Sequence, residues 1–140
     1  TQLDWLDKEL KASGSDWKIA FFHHPIYSSG GRHGSNLELR AQIEPLFLKY
    51  KVDMVLQGHD HNYERTLPIK ENLVDQAEGI TYVTLGGGGS PLYIQRPNED
   101  WSAKFLPAYH FAIFDVREKN LKMTVYDKSG EVVDTFEIQK

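Results

Sequence analysis

No cysteine occurs in the 140 residues. Disulfides, thiolate metal sites and cysteine nucleophiles are therefore excluded, and any transition metal must be held by His, Asp, Glu, Asn or Tyr. The absence is compatible with any compartment. Basic charge is not in excess: 16 Lys and Arg stand against 20 Asp and Glu, for a formal net charge of −4. Nucleic-acid and anionic-membrane partners usually require a basic patch or run, so neither is expected. No apolar stretch approaches the roughly 18 residues of a membrane span. The opening Thr1-Gln2-Leu3-Asp4-Trp5-Leu6 has no initiator Met, charged n-region or apolar h-region, and reads as a chain entered in the middle. Internal repeats and low-complexity segments are also lacking.

What is present suits one soluble globular domain, with a 40% hydrophobic and 26% charged composition. Leu3, Leu6 and Leu10 recur at helical spacing, predicting an amphipathic helix from Thr1 to about Ala12, ended by Ser13-Gly14-Ser15-Asp16. Lys18 to His23 reads as a buried strand stopped by Pro25, and Ser28 to Gly34 as a flexible loop. Ser35 and Glu38 have capping-box spacing for a helix running to about Tyr50, with a kink or restart at Pro45. Val52 to Gln57 is a second buried strand. Ile80 to Leu85 is a third, ending in Gly86 to Gly89, and Pro91 to Ala108 reads as loop. Phe111–Val116, Leu121–Asp127 and Val132–Ile138 form a predicted antiparallel meander, with Leu121, Met123 and Val125 alternating with polar neighbours. The expected class is α/β or α+β with a mixed sheet, and histidines stand where two strands end.

His59 and His61 follow the second strand directly. Two residues apart in extended backbone, their imidazoles would face the same way, and Gly58 would allow a sharp turn or a close ligand approach. An isolated H-x-H is equally read as two polar loop histidines. His23 ends the first strand; adjacent strand residues point oppositely, so His24 is expected to be structural, hydrogen-bonding backbone beside Pro25. His23, His59 and His61 together supply three imidazoles from two strand ends, enough with water for one catalytic tetrahedron.

Gly58-His59-Asp60-His61-Asn62-Tyr63-Glu64-Arg65 resembles the G-H-x-H motif of calcineurin-like metallophosphoesterases, in the form typical of purple acid phosphatases. Ala20-Phe21-Phe22-His23 resembles their V-x-x-H motif, with Ala in place of Val. Gln2 to Leu10, the His33-Gly34 loop, Leu46 to Val55 and Tyr82 to Gly86 also resemble the family pattern, so the likeness covers nearly the whole chain. It implies the C-terminal half of a four-layer α/β/β/α sandwich over residues 1–140, hydrolysing phosphate esters with two divalent or trivalent ions (Fe, Zn or Mn). By motif, His23 and His59 resemble ligands of one metal and His61 a ligand of the other. His33 resembles the histidine that contacts phosphate and protonates the leaving group. His24, Asp60, Asn62 and Arg65 are candidates for supporting roles around them. Family members are often secreted or periplasmic.

The resemblance also implies an upstream Asp, a G-D-x-x-Y segment with a bridging Asp, and a G-N-H-[DE] segment. The chain contains no Gly-Asp and no Gly-Asn-His. Asp53 and Asp60 do not occupy those roles. At most one metal is expected in this chain alone, with the alternative of a non-catalytic metal-binding or self-associating, domain-swapped module. Gly86 to Gly89 lacks the Lys-Ser/Thr of a phosphate loop and reads as structural. Arg65 reads as either a phosphate partner or part of a buried ion-pair strand. His110, Trp5, Trp17 and Trp101 read as core or rim residues.

Overall fold

Thr1 caps helix α1 (Gln2–Ala12): its hydroxyl accepts from the Asp4 amide, and the Asp4 carboxylate reaches back to the Thr1 backbone. The computed structural model describes residues 1–96 and 98–140. Strand β1 (Ile19–Phe21) follows, then helix α2 (Leu37–Lys49) and strand β2 (Met54–Gln57). Asn36 caps α2, its side chain accepting from the Leu39 amide at 2.9 Å. The expected cap Ser35 is engaged instead with Ser28. Pro45 interrupts neither the helix nor its buried stripe, which holds Ile43 and Phe47.

Next come β3 (Tyr63–Thr66), β4 (Ile69–Lys70), β5 (Leu73–Val74), β6 (Thr81–Leu85), β7 (Ser102–Leu106), β8 (His110–Arg117), β9 (Asn120–Asp127) and β10 (Val132–Gln139). Strand β7 corrects the expectation of loop throughout 91–108; Pro97 of that stretch lies outside the described residues. The small hairpin β4–β5 turns through Glu71 and Asn72, both at positive φ. It went unforeseen because neither residue is glycine.

The main sheet runs β1-β2-β6-β3-β7, parallel from β1 to β6 and antiparallel beyond it. Its central strands are buried on both faces, as parallel strands usually are. On one face Val55 and Tyr82 join Ile43, Phe47, Trp101 and the leucines of α1. On the other, Met54, Tyr63 and Val83 meet Leu121, Met123 and Val125 of β9. The meander β10-β9-β8 thus forms a second sheet packed on the first, giving three layers, α/β/β, with a mixed sheet in the middle. Phe111 and Ile113, on the outer face of β8, stay about half exposed. Among the described residues, no helix is long and apolar enough to cross a membrane.

Candidate metal centre

Strands β1 and β2 are parallel neighbours, so their carboxyl ends leave the sheet on the same side, where ligands of open α/β sheets bind. Two further bonds carry the pairing beyond the strands: Phe22 N–H donates to Leu56 O at 3.1 Å, and Gly58 N–H to His23 O at 3.0 Å. They align the two histidine-bearing segments and bring His23 Nε2 to 3.0 Å from His59 Nδ1. The His33 ring lies 4.1 Å from the His59 ring, centroid to centroid. His24 joins them, 4.7 Å from His59 and 5.1 Å from His23. Four imidazoles therefore converge. Both His23 and His24 reach the cluster because β1 ends at Phe21, so strand alternation no longer separates them. Among the described residues His24 contacts rings rather than the backbone bond expected beside Pro25.

His61 has a different neighbourhood. Its Nδ1 lies 2.9 Å from the Pro91 carbonyl, and its ring stacks on Tyr93 at 4.4 Å with planes 23° apart. The Tyr93 ring also lies 5.8 Å from that of His33, and Arg32 sits over it. The backbone explains why His59 and His61 part company. His59 adopts φ +65°, not the extended conformation expected of the H-x-H pair, and Gly58 is not the left-handed residue. Asp60 N–H donates to Gly58 O at 2.8 Å and Asn62 N–H to Asp60 O at 2.9 Å, two successive tight turns. The glycines that permit this turn come later. A Cβ on Gly86 would overlap the Asp60 carbonyl oxygen, and one on Gly87 would overlap Ala108 O and the His110 ring. Close packing is thus the role of Gly86 and Gly87, whereas Gly88 and Gly89 have open space where a Cβ would stand.

Asp60 and Asn62 are fully buried behind the histidines. Asp60 Oδ2 accepts from Ser28 Oγ at 2.5 Å and from Gly34 N at 3.1 Å. Glu64, also buried, accepts from Ser29 N at 2.8 Å, Ser29 Oγ at 2.5 Å and Ser102 Oγ at 2.6 Å. Burial, more than any neighbouring charge, pushes its carboxyl above the usual range. The Ser28–Gly34 segment is thus a loop, but not the free one expected: its first three residues are buried and tied to Asp60 and Glu64. Arg65 lies elsewhere, paired with Asp134 at 2.8 Å, which settles it as an ion-pair residue of β3. His110 is a part-buried residue whose Nδ1 faces Ala108 O at 2.8 Å; burial lowers its affinity for a proton.

Burial lowers the His59 pKa, and the adjacent His33, His24 and His23 rings lower it further by like-charge repulsion, against a smaller opposing effect of Asp60. Neutral imidazole is the form that binds a metal. The 3.0 Å separation of His23 Nε2 and His59 Nδ1 is close to the roughly 3.3 Å between two nitrogens on one tetrahedral ion with bonds near 2.05 Å. The Pro91 carbonyl accepts from His61 Nδ1–H, which leaves the Nε2 lone pair free to bind a metal. The donors thus fit part of a metal site. Among the described residues no three His, Cys, Asp or Glu side chains converge on one ion. The tetrahedron of His23, His59 and His61 expected from the imidazole count is accordingly not formed. Tyr93, Ser28 and Ser29 were not foreseen as site neighbours, since contacts distant in sequence bring their loops together: the bridge between Gly30 and Gln95, and the bonds from Gln95 Nε2 to Ser29 Oγ at 3.1 Å and from Tyr93 N to His61 O at 3.0 Å.

The calcineurin-like phosphoesterase family model matches residues 1–63. A purple acid phosphatase of Glycine max is 31% identical over 136 residues, covering 84% of this chain and 29% of that protein. The Fe(3+)-Zn(2+) purple acid phosphatase 12 of Arabidopsis thaliana is 38% identical over 104 residues, covering 64% of this chain and 22% of its own length. The structure of a purple acid phosphatase from yellow lupin seeds superposes with a TM-score of 0.91 at 31% identity, over 99% of this chain and 28% of that one. The chain belongs to the calcineurin-like metallophosphoesterases, and within them it is purple acid phosphatase-like. It spans less than a third of the length of these three relatives.

Proposed function

We propose that this chain is the C-terminal part of a catalytic domain that hydrolyses phosphate esters, and that it supplies the histidine side of a dinuclear metal centre. The observation that carries the reading is the approach of His23 Nε2 and His59 Nδ1 to 3.0 Å at adjacent parallel strand ends, with His33 against His59. His23 and His59 would hold one cation and His61 the other, drawn from Fe, Zn or Mn. When bound, such a pair of ions neutralises phosphate charge and activates a water for in-line displacement. His33 contacts the phosphate and gives its proton to the departing oxygen, general acid catalysis typically contributing about 10²- to 10⁴-fold. His24, Asp60 and Asn62 support the ring cluster. The bridging carboxylates have no motif in this chain and come from the rest of the domain or from another chain, so this chain alone holds at most one metal.

In the complete metal-loaded protein, His33→Ala should lower kcat for an aryl phosphate by about a hundredfold or more. An unchanged kcat would overturn the role given to His33. This chain alone should show no turnover, and full activity from it would refute the need for outside carboxylates. A second reading rests on the main-sheet edge, where Phe21 of β1 is 82% exposed. Such an apolar edge favours self-association of the isolated chain as a metal-binding module. A concentration-independent monomer by sedimentation would exclude it.

A further inference from the structure

We propose that Asp60 is a positioning residue whose buried carboxylate fixes the loop bearing His33 against the His59 ring; the catalytic consequence rests on the role proposed for His33. Asp60 lies between two candidate ligands in sequence, yet it is fully buried and has no access to solvent. It therefore acts through other residues. Its Oδ2 atom is the hub of the 28–35 loop. Ser28 Oγ donates to it at 2.5 Å while itself accepting from Gly30 N at 3.0 Å, and Gly34 N–H, next to His33, donates to it at 3.1 Å. The neck of the loop is clipped separately: Ser28 N–H donates to Ser35 Oγ at 3.0 Å, and Ser35 Oγ donates to Ser28 O at 3.2 Å.

Packing confirms the contact independently of hydrogen bonding. A Cβ on Gly30 would stand 2.5 Å from Asp60 Oδ2 and 3.0 Å from Asn62 Oδ1, so the loop backbone lies directly on the carboxylate. Gly34 adopts φ +69°, a conformation its glycine allows and the bond from its amide holds. A segment as rich in Ser and Gly as Ser28-Ser29-Gly30-Gly31-Arg32-His33-Gly34 would otherwise sample many conformations, and His33 with it. The turn that presents His59 thereby also anchors the loop that presents His33. Asp60 Oδ1 has no partner among the described residues. One acceptor oxygen is therefore sufficient, which separates positioning from any effect of the negative charge: Asn offers the same oxygen without the charge, and Ala offers neither.

The test compares Asp60→Ala with Asp60→Asn. In the chain itself, Asp60→Ala should speed hydrogen exchange of the Gly34 amide by about tenfold or more and abolish the His33–His59 ring contacts seen by NMR. Asp60→Asn should preserve both. In the metal-loaded holoenzyme, Asp60→Ala should cut hydrolysis of an alkyl phosphate, which needs a proton on its leaving oxygen, by about a hundredfold more than hydrolysis of 2,4-dinitrophenyl phosphate, which does not. Asp60→Asn should restore the ratio. Unchanged Gly34 exchange in Asp60→Ala would overturn the proposal, as would Asp60→Asn behaving like Asp60→Ala. Loss of the ring contact with both esters affected alike would support the anchoring and refute proton donation by His33. If Asp60→Ala does not fold, Ser28→Ala, which removes one of the two donors, carries the same comparison with a smaller rise in Gly34 exchange, and no rise would overturn the proposal.

Discussion

Replacing Asp134 by Ala removes an acceptor on which donors of the opposite sheet converge. Asp134 stands on β10 of the meander; Tyr63 Oη reaches it at 2.5 Å, and Arg65 Nε and Nη2 at 2.8 and 3.3 Å, all from β3 of the main sheet. Lys104 of β7 adds a cation 3.8 Å away. The Asp134 side chain is 8% exposed and that of Arg65 17%. Breaking a buried ion pair by removing one partner typically costs about 3–5 kcal/mol. Arg65 keeps some access to water, so the lower end, about 3 kcal/mol, is expected, which lowers Tm by about 10 °C in a chain of this size. Asp134→Asn keeps an acceptor and should lose about half as much. Burial alone would raise the Asp134 carboxyl pKa, but the bonds from Arg65 and Tyr63 outweigh it, and the net shift is downward. A lowered folded pKa means that the stabilisation is fully present above the unfolded carboxyl value, about 4, and is lost as pH falls through the folded value. The gap between wild type and Asp134→Ala in urea melts should therefore be constant above pH 5 and shrink below pH 4. A gap under about 1 kcal/mol at pH 7, or one that widens in acid, would refute the reasoning.

Three other outcomes follow from the same geometry. Asn36→Ala should cost about 1 kcal/mol through loss of the α2 cap, measured by urea melts, with helix-end amides of Glu38 and Leu39 exchanging faster. Ser35→Ala should leave those amides alone and loosen Ser28 instead, as seen by exchange of the Ser28 amide. Gly86→Ala should destabilise by about 1–3 kcal/mol or more and disturb the His59–His61 turn, whereas Gly88→Ala, with open space at its Cβ, should be within about 0.5 kcal/mol of wild type.

The elements legible in the sequence were those whose burial repeats with a regular period. The alternation of Leu121, Met123 and Val125 gave the meander, the leucines at 3, 6 and 10 gave α1, and the apolar runs ending at His23 and Gln57 gave strands β1 and β2. Strand β1 is nevertheless an edge strand with Phe21 82% exposed, not the buried strand expected. Strand β7 was not legible, since Ser102-Ala103-Lys104-Phe105-Leu106 is only partly buried and owes its conformation to pairing with β3. The α2 cap was misplaced by one residue because Ser35 is held by Ser28 across the neck of the loop, a contact that the capping rule does not contain. At the site, residue types and motif spacing singled out the five histidines that line it. Their arrangement was not readable: it depends on His59 entering the left-handed region and on Tyr93 arriving from a loop 32 residues beyond His61. The Ser28–Gly34 loop looked free because serine and glycine are the residues of mobile segments, yet their small size is what lets the backbone lie on Asp60 and Glu64.

The most direct measurement is metal content and affinity by calorimetry, with Zn(II) titrated into this chain and into His59→Ala. The account predicts about one ion per protomer for the native chain, and loss of that binding when His59 is removed from its 3.0 Å approach to His23. Undiminished metal binding by His59→Ala would contradict the ligand assignment on which the proposed activity stands.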